Sequence, residues 1–306
     1  MNQFSFKSIN SPALLGAFWM IAAGAFFAAV NTSIQAATMW YGLPSTSVAF
    51  WQYLIALGFA VPWLMGQGLS VLRTRQIGLH VARVVLGAAG VQFWTLGLAH
   101  VPIWQAIALI MTSPFFVVLG AALFFGERIG FARGISVAVG FAGGMIILAP
   151  WSDDFGLPTL LPLLASFLWA MSSLMVKKLT VTEGAGVVTV YLFVLLTPFN
   201  AAFVLADGAS LAPPPWGMAL AVVLLAGFLT GLAQYAISRA YKAADAAYLQ
   251  PYDYLKLPLN VGLGIAVFGF YPAGSMWIGA ALIVGASAYI FRQESRMEAA
   301  LAEQTG

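Results

Sequence analysis

Apolar runs long enough to cross about 30 Å of hydrocarbon recur some ten times along the chain. They lie near 13–38, 46–66, 78–98, 102–125, 131–150, 158–178, 185–206, 216–239, 246–269 and 274–291. The breaks are short and carry turn-forming residues, as in Gly42-Leu43-Pro44, Gly66-Gln67-Gly68, Trp151-Ser152-Asp153-Asp154 and Pro213-Pro214-Pro215-Trp216. Inside hydrocarbon every backbone N–H and C=O must be satisfied within the protein, and a helix does this within its own segment. The pattern therefore predicts an all-α integral membrane protein with about ten transmembrane helices. The run at 13–30, preceded by Lys7, imitates a signal peptide. An internal repeat identifies it instead as a retained first span. No segment has the length and polarity of a soluble domain; residues 293–306 read as a short cytoplasmic tail.

The repeat relates spans 1–5 (13–150) to spans 6–10 (157–292). Phe26-Phe27-Ala28-Ala29-Val30-Asn31-Thr32-Ser33 matches Phe167-Leu168-Trp169-Ala170-Met171-Ser172-Ser173-Leu174. At nearly the same offset Gln92-Phe93 meets Gln234-Tyr235, and Gly134-x5-Gly140 meets Gly279-x5-Gly285. Five is odd, so the two copies must enter the membrane from opposite sides: a 5+5 inverted-topology repeat. Such repeats are typical of secondary transporters, with the substrate site near the midplane between the halves.

Charge supplies an orientation. Alternating the loops puts Lys7, Arg73, Arg75, Arg83, Arg128, Arg133, Lys177, Lys178, Arg239, Lys242, Arg292 and Arg296 on one side. The other side receives Asp153, Asp154, Asp207 and His100 but no lysine or arginine. By the positive-inside rule the first side is cytoplasmic and both termini are inside. Trp40, Tyr41, Trp151, Trp216 and Tyr271 fall at outer span ends, where aromatic rings favour the interface. Composition agrees: 61% of the 306 residues are hydrophobic and 8% charged, and mean hydropathy is +0.91. A soluble domain would carry about a quarter charged residues. The net charge of +3 comes without a basic stripe, which argues against nucleic acid. Zero cysteines and two histidines leave nothing from which to build a thiolate or histidine-rich metal site.

The remaining base, Lys256, sits inside span 9, three residues after Asp253. If that span enters near Asp245, a 1.5 Å rise puts Asp253 roughly 12 Å deep and Lys256 about 16 Å. Each alone would cost ~2.5–3.5 kcal/mol at a helix centre, so they should pair or face a wet cavity. They are candidates for a substrate or proton site; the competing reading is an ion pair that fixes packing beside Pro251. Buried amides and tyrosines also need partners. Gln92 and Gln234, matched by the repeat, are expected to project toward the pseudo-two-fold axis, and Tyr248, Gln250, Tyr252 and Ser113 join them as candidate contacts. Trp94 and Trp169 would suit a flat or apolar ligand part, with ordinary packing the alternative. Pro114 and Pro258 could act as gating hinges or be static kinks. Gly130-x3-Gly134 and Gly140-x3-Gly144 read as close helix packing.

Enzyme readings find no His-Glu-x-x-His, Gly-x-Ser-x-Gly or Walker loop. Tyr252-Asp253 resembles the Tyr-Asp of intramembrane aspartyl proteases, but Gly262-Leu263-Gly264 is followed by Ile265, not a second aspartate. A channel would need a filter-like loop or a ring of like charge, and neither is visible. No motif calls for a cofactor.

The chain resembles the EamA-type branch of the drug/metabolite transporter superfamily. The resemblance rests on Thr112-Ser113-Pro114-Phe115-Phe116, Leu123-Phe124-Phe125-Gly126-Glu127-Arg128-Ile129-Gly130 and Gly140-Phe141-Ala142-Gly143-Gly144. In the second half it rests on Ala240-Tyr241-Lys242-Ala243-Ala244-Asp245-Ala246, Pro251-Tyr252-Asp253-Tyr254-Leu255 and Ile278-Gly279-Ala280-Ala281-Leu282-Ile283. It covers roughly residues 13 to 292. It implies a ten-helix carrier of the bacterial inner membrane, monomer or homodimer, moving a small polar or zwitterionic metabolite such as an amino acid derivative by alternating access. Export is slightly favoured by family habit. The Pro-Tyr-Asp-Tyr-Leu and Phe-Arg-Gln-Glu stretches also resemble riboflavin or S-adenosylmethionine importers, and uptake of those substrates is the alternative. Coupling would be a proton at Asp253 or none. Phe268-Gly269-Phe270 departs from the Phe-Gly-Glu often found in the second repeat, so any role of that glutamate is absent.

Overall fold

A computed structural model describes residues 12–68, 72–113, 115–117, 119–120, 131–148, 156–243, 249, 252, 255–272 and 274–305. The helices are α1 (Pro12–Met39), α2 (Ser45–Gln67), α3 (Ile77–His100), α4 (Ile103–Ile110), α5 (Phe131–Leu148), α6 (Leu160–Thr180), α7 (Ala185–Ala206), α8 (Met218–Ala243), α9 (Lys256–Phe268) and α10 (Gly274–Thr305). Their ends follow local chemistry. Pro44 and Pro102 stand just before α2 and α4, where a missing N–H costs nothing. Gly269, at φ 69°, closes α9 in the left-handed region that glycine enters without a Cβ penalty.

Among the described residues, six helical stretches are long and apolar enough to cross a membrane: Leu15–Met39, Ser45–Gln67, Ile77–His100, Leu157–Thr180, Ala185–Ala206 and Met218–Ala243. The described apolar parts of the other four are shorter: Ile103–Val117, Ala138–Ile147, Lys256–Phe268 and Gly274–Ala286. Two of the expected spans differ from a simple rod. The run at 102–125 forms α4 and then turns at Met111-Thr112 before helix resumes at Ser113. In the run at 246–269, Leu249 and Tyr252 are helical, Leu255 is a turn, and α9 follows from Lys256.

Packing pairs helices far apart in sequence. α1 lies along α8, α3 along α6, α2 against α7 and α8, α5 along α10 and α4 against α9. The α5–α10 crossing is closest at two glycines. A Cβ at Gly143 would lie 2.7 Å from the Gly279 carbonyl oxygen, and one at Gly279 would lie 2.6 Å from that of Gly143. Both must therefore be glycine for the backbones to meet. The core runs through Ile34, Leu98, Ile107, Leu109 and Ile283, where α1, α3, α4 and α10 converge. Gln35 ties α1 to the end of α3, its amide donating to the carbonyls of Leu98 (3.2 Å) and Val101 (3.0 Å).

Candidate functional site

α1, α2, α3, α6, α7 and α8, with the first turn of α9 and residues 107–117, enclose a cavity of about 180 Å³. By the measure that one water needs ~10–15 Å³, it holds on the order of ten waters or a compact ring system. One wall is aromatic. Trp94 on α3 and Trp169 on α6 face it with ring centroids 5.7 Å apart and planes tilted by 52°. Trp169 reaches this position because α3 has no side chain opposite: a Cβ at Gly90 would sit 2.6 Å from its indole nitrogen.

A relay of amides holds the Trp94 ring. Its Nε1 donates to Asn31 Oδ1 (3.2 Å), Asn31 Nδ2 donates to Asn260 Oδ1 (3.0 Å), and Asn260 Nδ2 donates to the Lys256 carbonyl (2.7 Å). Three helices, α3, α1 and α9, are thereby fixed around one corner of the cavity. Lys256 lines that corner and passes its stem over Gly24, where a Cβ would lie 3.2 Å from Lys256 Cγ.

The other end is polar through Gln52, Tyr53, Arg83 and Gln234. Arg83 is 3% exposed. Its Nη1 donates to the Val188 carbonyl at 2.8 Å, and its Nε has no hydrogen-bond partner among the described residues. No carboxylate lies within ion-pairing distance of it among the described residues. Arg83 corrects the sequence expectation that placed it in an inner loop and left Lys256 as the one base inside a span. It stands six residues into α3, about 9 Å along the axis. On that helix Arg83, Gly87, Gly90, Val91 and Trp94 recur at three- and four-residue spacing, so they share one face. That spacing was readable from sequence; sorting charges by loop concealed it.

The other candidates distribute unevenly. Trp94, Trp169, Ser113, Gln234 and Lys256 line the cavity together. Gln92 does not: its amide donates to Asn200 Oδ1 at 2.8 Å, tying α3 to α7. Tyr252 packs beside the small cluster of Met20, Ala240 and Leu249. Pro258 lies on an exposed part of α9. Asp253, Tyr248, Gln250 and Pro114 lie outside the described residues. Asn260 and Tyr53, which sequence reasoning did not single out, belong to the site; Asn260 is one turn beyond Lys256, a spacing that could have flagged it.

A second polar cluster joins the α2–α3 and α6–α7 connections. His80 Nε2 meets Glu183 Oε2 at 2.7 Å, and the His80 ring stacks on Tyr191, centroids 4.2 Å apart. Thr74 also donates to Glu183, Gln76 to Thr182, and the Tyr191 hydroxyl to the Leu72 carbonyl. Among the described residues no group of three or more His, Cys, Asp or Glu could hold a metal ion.

Residues 14–149 match the model of the EamA-like transporter family. Over 97% of this chain and 98% of its own length, the riboflavin transporter of Rhizobium johnstonii is 53% identical. The chain belongs to the EamA-like transporter family. A riboflavin transporter of Vibrio cholerae is 48% identical over 94% of this chain and 97% of its own. An S-adenosylmethionine uptake transporter of Rickettsia bellii is 27% identical over 83% and 86%. A solved structure covering 94% of this chain and 98% of its own shares the fold with a TM-score of 0.65 at 22% identity. This EamA-like protein is a multi-pass carrier of the bacterial inner membrane that moves a small metabolite by secondary transport, not an enzyme.

Proposed function

We propose that this EamA-like protein carries riboflavin, in the direction of uptake, by alternating access between two inverted five-span halves. The observation that carries the substrate is the name riboflavin transporter on relatives about half identical over nearly the whole chain. The cavity supports it. Two tryptophans offer faces to a flat tricyclic ring, and the polar end offers donors and acceptors to its heteroatoms. Uptake of riboflavin thus takes precedence over the export of an amino acid derivative expected from family habit. S-adenosylmethionine fits less well. Arg83 and Lys256 line the cavity, while its described lining contains no aspartate or glutamate to receive a sulfonium.

The halves would be residues 13–150 and 157–292, with 293–306 a cytoplasmic tail and both termini inside. Support comes from packing that maps onto itself when each helix is exchanged with the one five later. The α1–α8 contact becomes α6–α3, while α2–α7, α4–α9 and α5–α10 are unchanged. The turn at Met111-Thr112 in the fourth span and the turn at Leu255 before α9 also correspond, since Met111 and Leu255, like Pro114 and Pro258, are separated by 144 residues in the sequence. Irregular backbone at membrane depth is tolerated where it lines a cavity. The cluster of His80, Glu183, Thr74, Gln76 and Tyr191 links the two halves at one end and would have to part when that end opens. Riboflavin is uncharged, so the membrane potential does no work on it; a proton at Asp253 remains the candidate for coupling.

Counterflow in liposomes tests the reading. Purified protein preloaded with unlabelled riboflavin should accumulate labelled riboflavin saturably and ignore S-adenosylmethionine. Absence of saturable riboflavin exchange, or preference for S-adenosylmethionine, would overturn it; a non-saturating current would point to a channel.

A further inference from the structure

Two buried side chains at the polar end of the cavity each carry an atom with no hydrogen-bond partner among the described residues. Arg83 Nε is a donor without an acceptor, and Gln52 Oε1 is an acceptor without a donor. Both residues line the cavity, at 3% and 4% exposure. The amide orientation of Gln52 follows from its neighbour. The Thr230 hydroxyl donates to the Ala226 carbonyl at 2.7 Å, so it can only accept from Gln52, and it does so from Nε2 at 2.8 Å. Oε1 is thereby left as the free end. Buried polar atoms are paired as a rule, and an exception needs a reason. A guanidinium out of water with no carboxylate partner is costlier still.

We infer that Arg83 and Gln52 read the imide edge of the flavin ring: Arg83 Nε–H donates to a ring carbonyl, and Gln52 Oε1 accepts the N3–H beside it. The inference rests on the riboflavin reading and deepens it. The pattern is complementary in kind, one donor and one acceptor against C=O and N–H. The ribityl chain is a weaker partner for Arg83, because a guanidinium only donates and a conjugated carbonyl concentrates more negative charge than an alcohol. Tyr53, next to Gln52 in sequence, lines the same end of the cavity with Gln234. Neither Gln52 nor Arg83 is spent on holding the Trp94 corner, so recognition of the ring's edge and of its face are separable.

The test uses the ligand as well as the protein. Equilibrium binding of riboflavin, 3-methylriboflavin and lumiflavin, which lacks the ribityl chain, is measured on purified protein. Wild type should bind 3-methylriboflavin at least about tenfold more weakly than riboflavin, since a site built for an N–H rejects the analogue without it. In Gln52→Ala that ratio should fall close to one. Arg83→Met should weaken riboflavin and lumiflavin by the same factor, at least about tenfold, while melting without ligand at or above the wild-type temperature because a buried charge has gone. A wild type indifferent to the methyl group, a ratio unchanged in Gln52→Ala, or an Arg83→Met loss confined to riboflavin would each overturn the inference. The methyl comparison needs no variant, so misfolding cannot obscure it. If wild type binds no flavin at all, the riboflavin reading itself has failed.

Discussion

Gly90→Ala adds one methyl group to α3 at the point where Trp169 crosses it. The new Cβ would stand 2.6 Å from Trp169 Nε1, 2.7 Å from Cδ1 and 3.4 Å from Cε2. Carbon contacts settle near 3.5–4.0 Å, so the indole must retreat by about 1 Å. Two terms set the stability. Alanine in place of glycine inside a helix contributes about 1 kcal/mol, and overpacking usually costs about 1–3 kcal/mol. Here the ring borders the cavity and has room to shift, which puts the cost at the lower end. The terms nearly cancel, and the melting temperature should stay close to wild type.

Function should not. The displaced ring moves into the space beside Trp94, whose centroid is now 5.7 Å away, and the slot for a flat ligand closes. Loss of one aromatic contact is worth about 0.5–1.5 kcal/mol, and the steric clash adds to it. Riboflavin affinity should therefore fall by about tenfold or more, read by binding titration and counterflow beside a thermal melt. Replacing Trp169 by Leu in the Gly90→Ala background relieves the crowding, so the second change should cost less there than in wild type. Unaltered riboflavin affinity in a folded Gly90→Ala protein would refute the placement of Trp169 against the ligand.

Other outcomes follow from the hydrogen bonds. Gln92→Leu alone strands Asn200, whose Nδ2 is already unpartnered, and should cost about 1–3 kcal/mol in a denaturation experiment. Gln92→Leu with Asn200→Leu removes both partners and should restore stability with transport intact; lost transport in that double variant would put Gln92 back in the substrate path. Asn31→Leu orphans the Trp94 indole N–H and the Asn260 side-chain oxygen Oδ1 together, a loss of roughly 2 kcal/mol or more that an unchanged melting curve would contradict. The chain has no cysteine, so a single one introduced as Ser172→Cys reports access to the cavity without background. Glu183→Ala, by releasing His80 and Thr74, should speed its reaction with an impermeant maleimide from the side of the α6–α7 connection, and an equal rate would remove that cluster as a gate. Cysteines replacing Lys178 and Asp207 should react from opposite faces of the membrane; labelling from one face would break the proposed topology.

The long helices could be read from the chain because their cause is one-dimensional. The apolar run at 185–206 is α7, and 78–98 is α3 to within two residues at each end, since hydrocarbon thickness and backbone hydrogen bonding need only composition and length. The site divides differently. Trp94, Trp169, Ser113, Gln234 and Lys256 could be found as polar or aromatic residues at membrane depth, where each must face protein or a cavity. Arg83 could not be found by sorting charges between loops, because a few residues of boundary separate a loop base from a wall base. Gln92 and Gln234 show a second limit. The repeat makes them equivalent in sequence, yet Asn200 captures Gln92, and no counterpart of that asparagine is implied by the position of Gln234. Equivalence under a repeat fixes the helix and the depth of a side chain, whereas its partner depends on a neighbour four spans away. The same logic governs Gln52: its free oxygen is defined by the direction in which Thr230 donates, a fact held in no local pattern. Helix number and length thus follow from the solvent, and which polar atom is left over for a ligand follows from the packing of helices that sequence does not make adjacent.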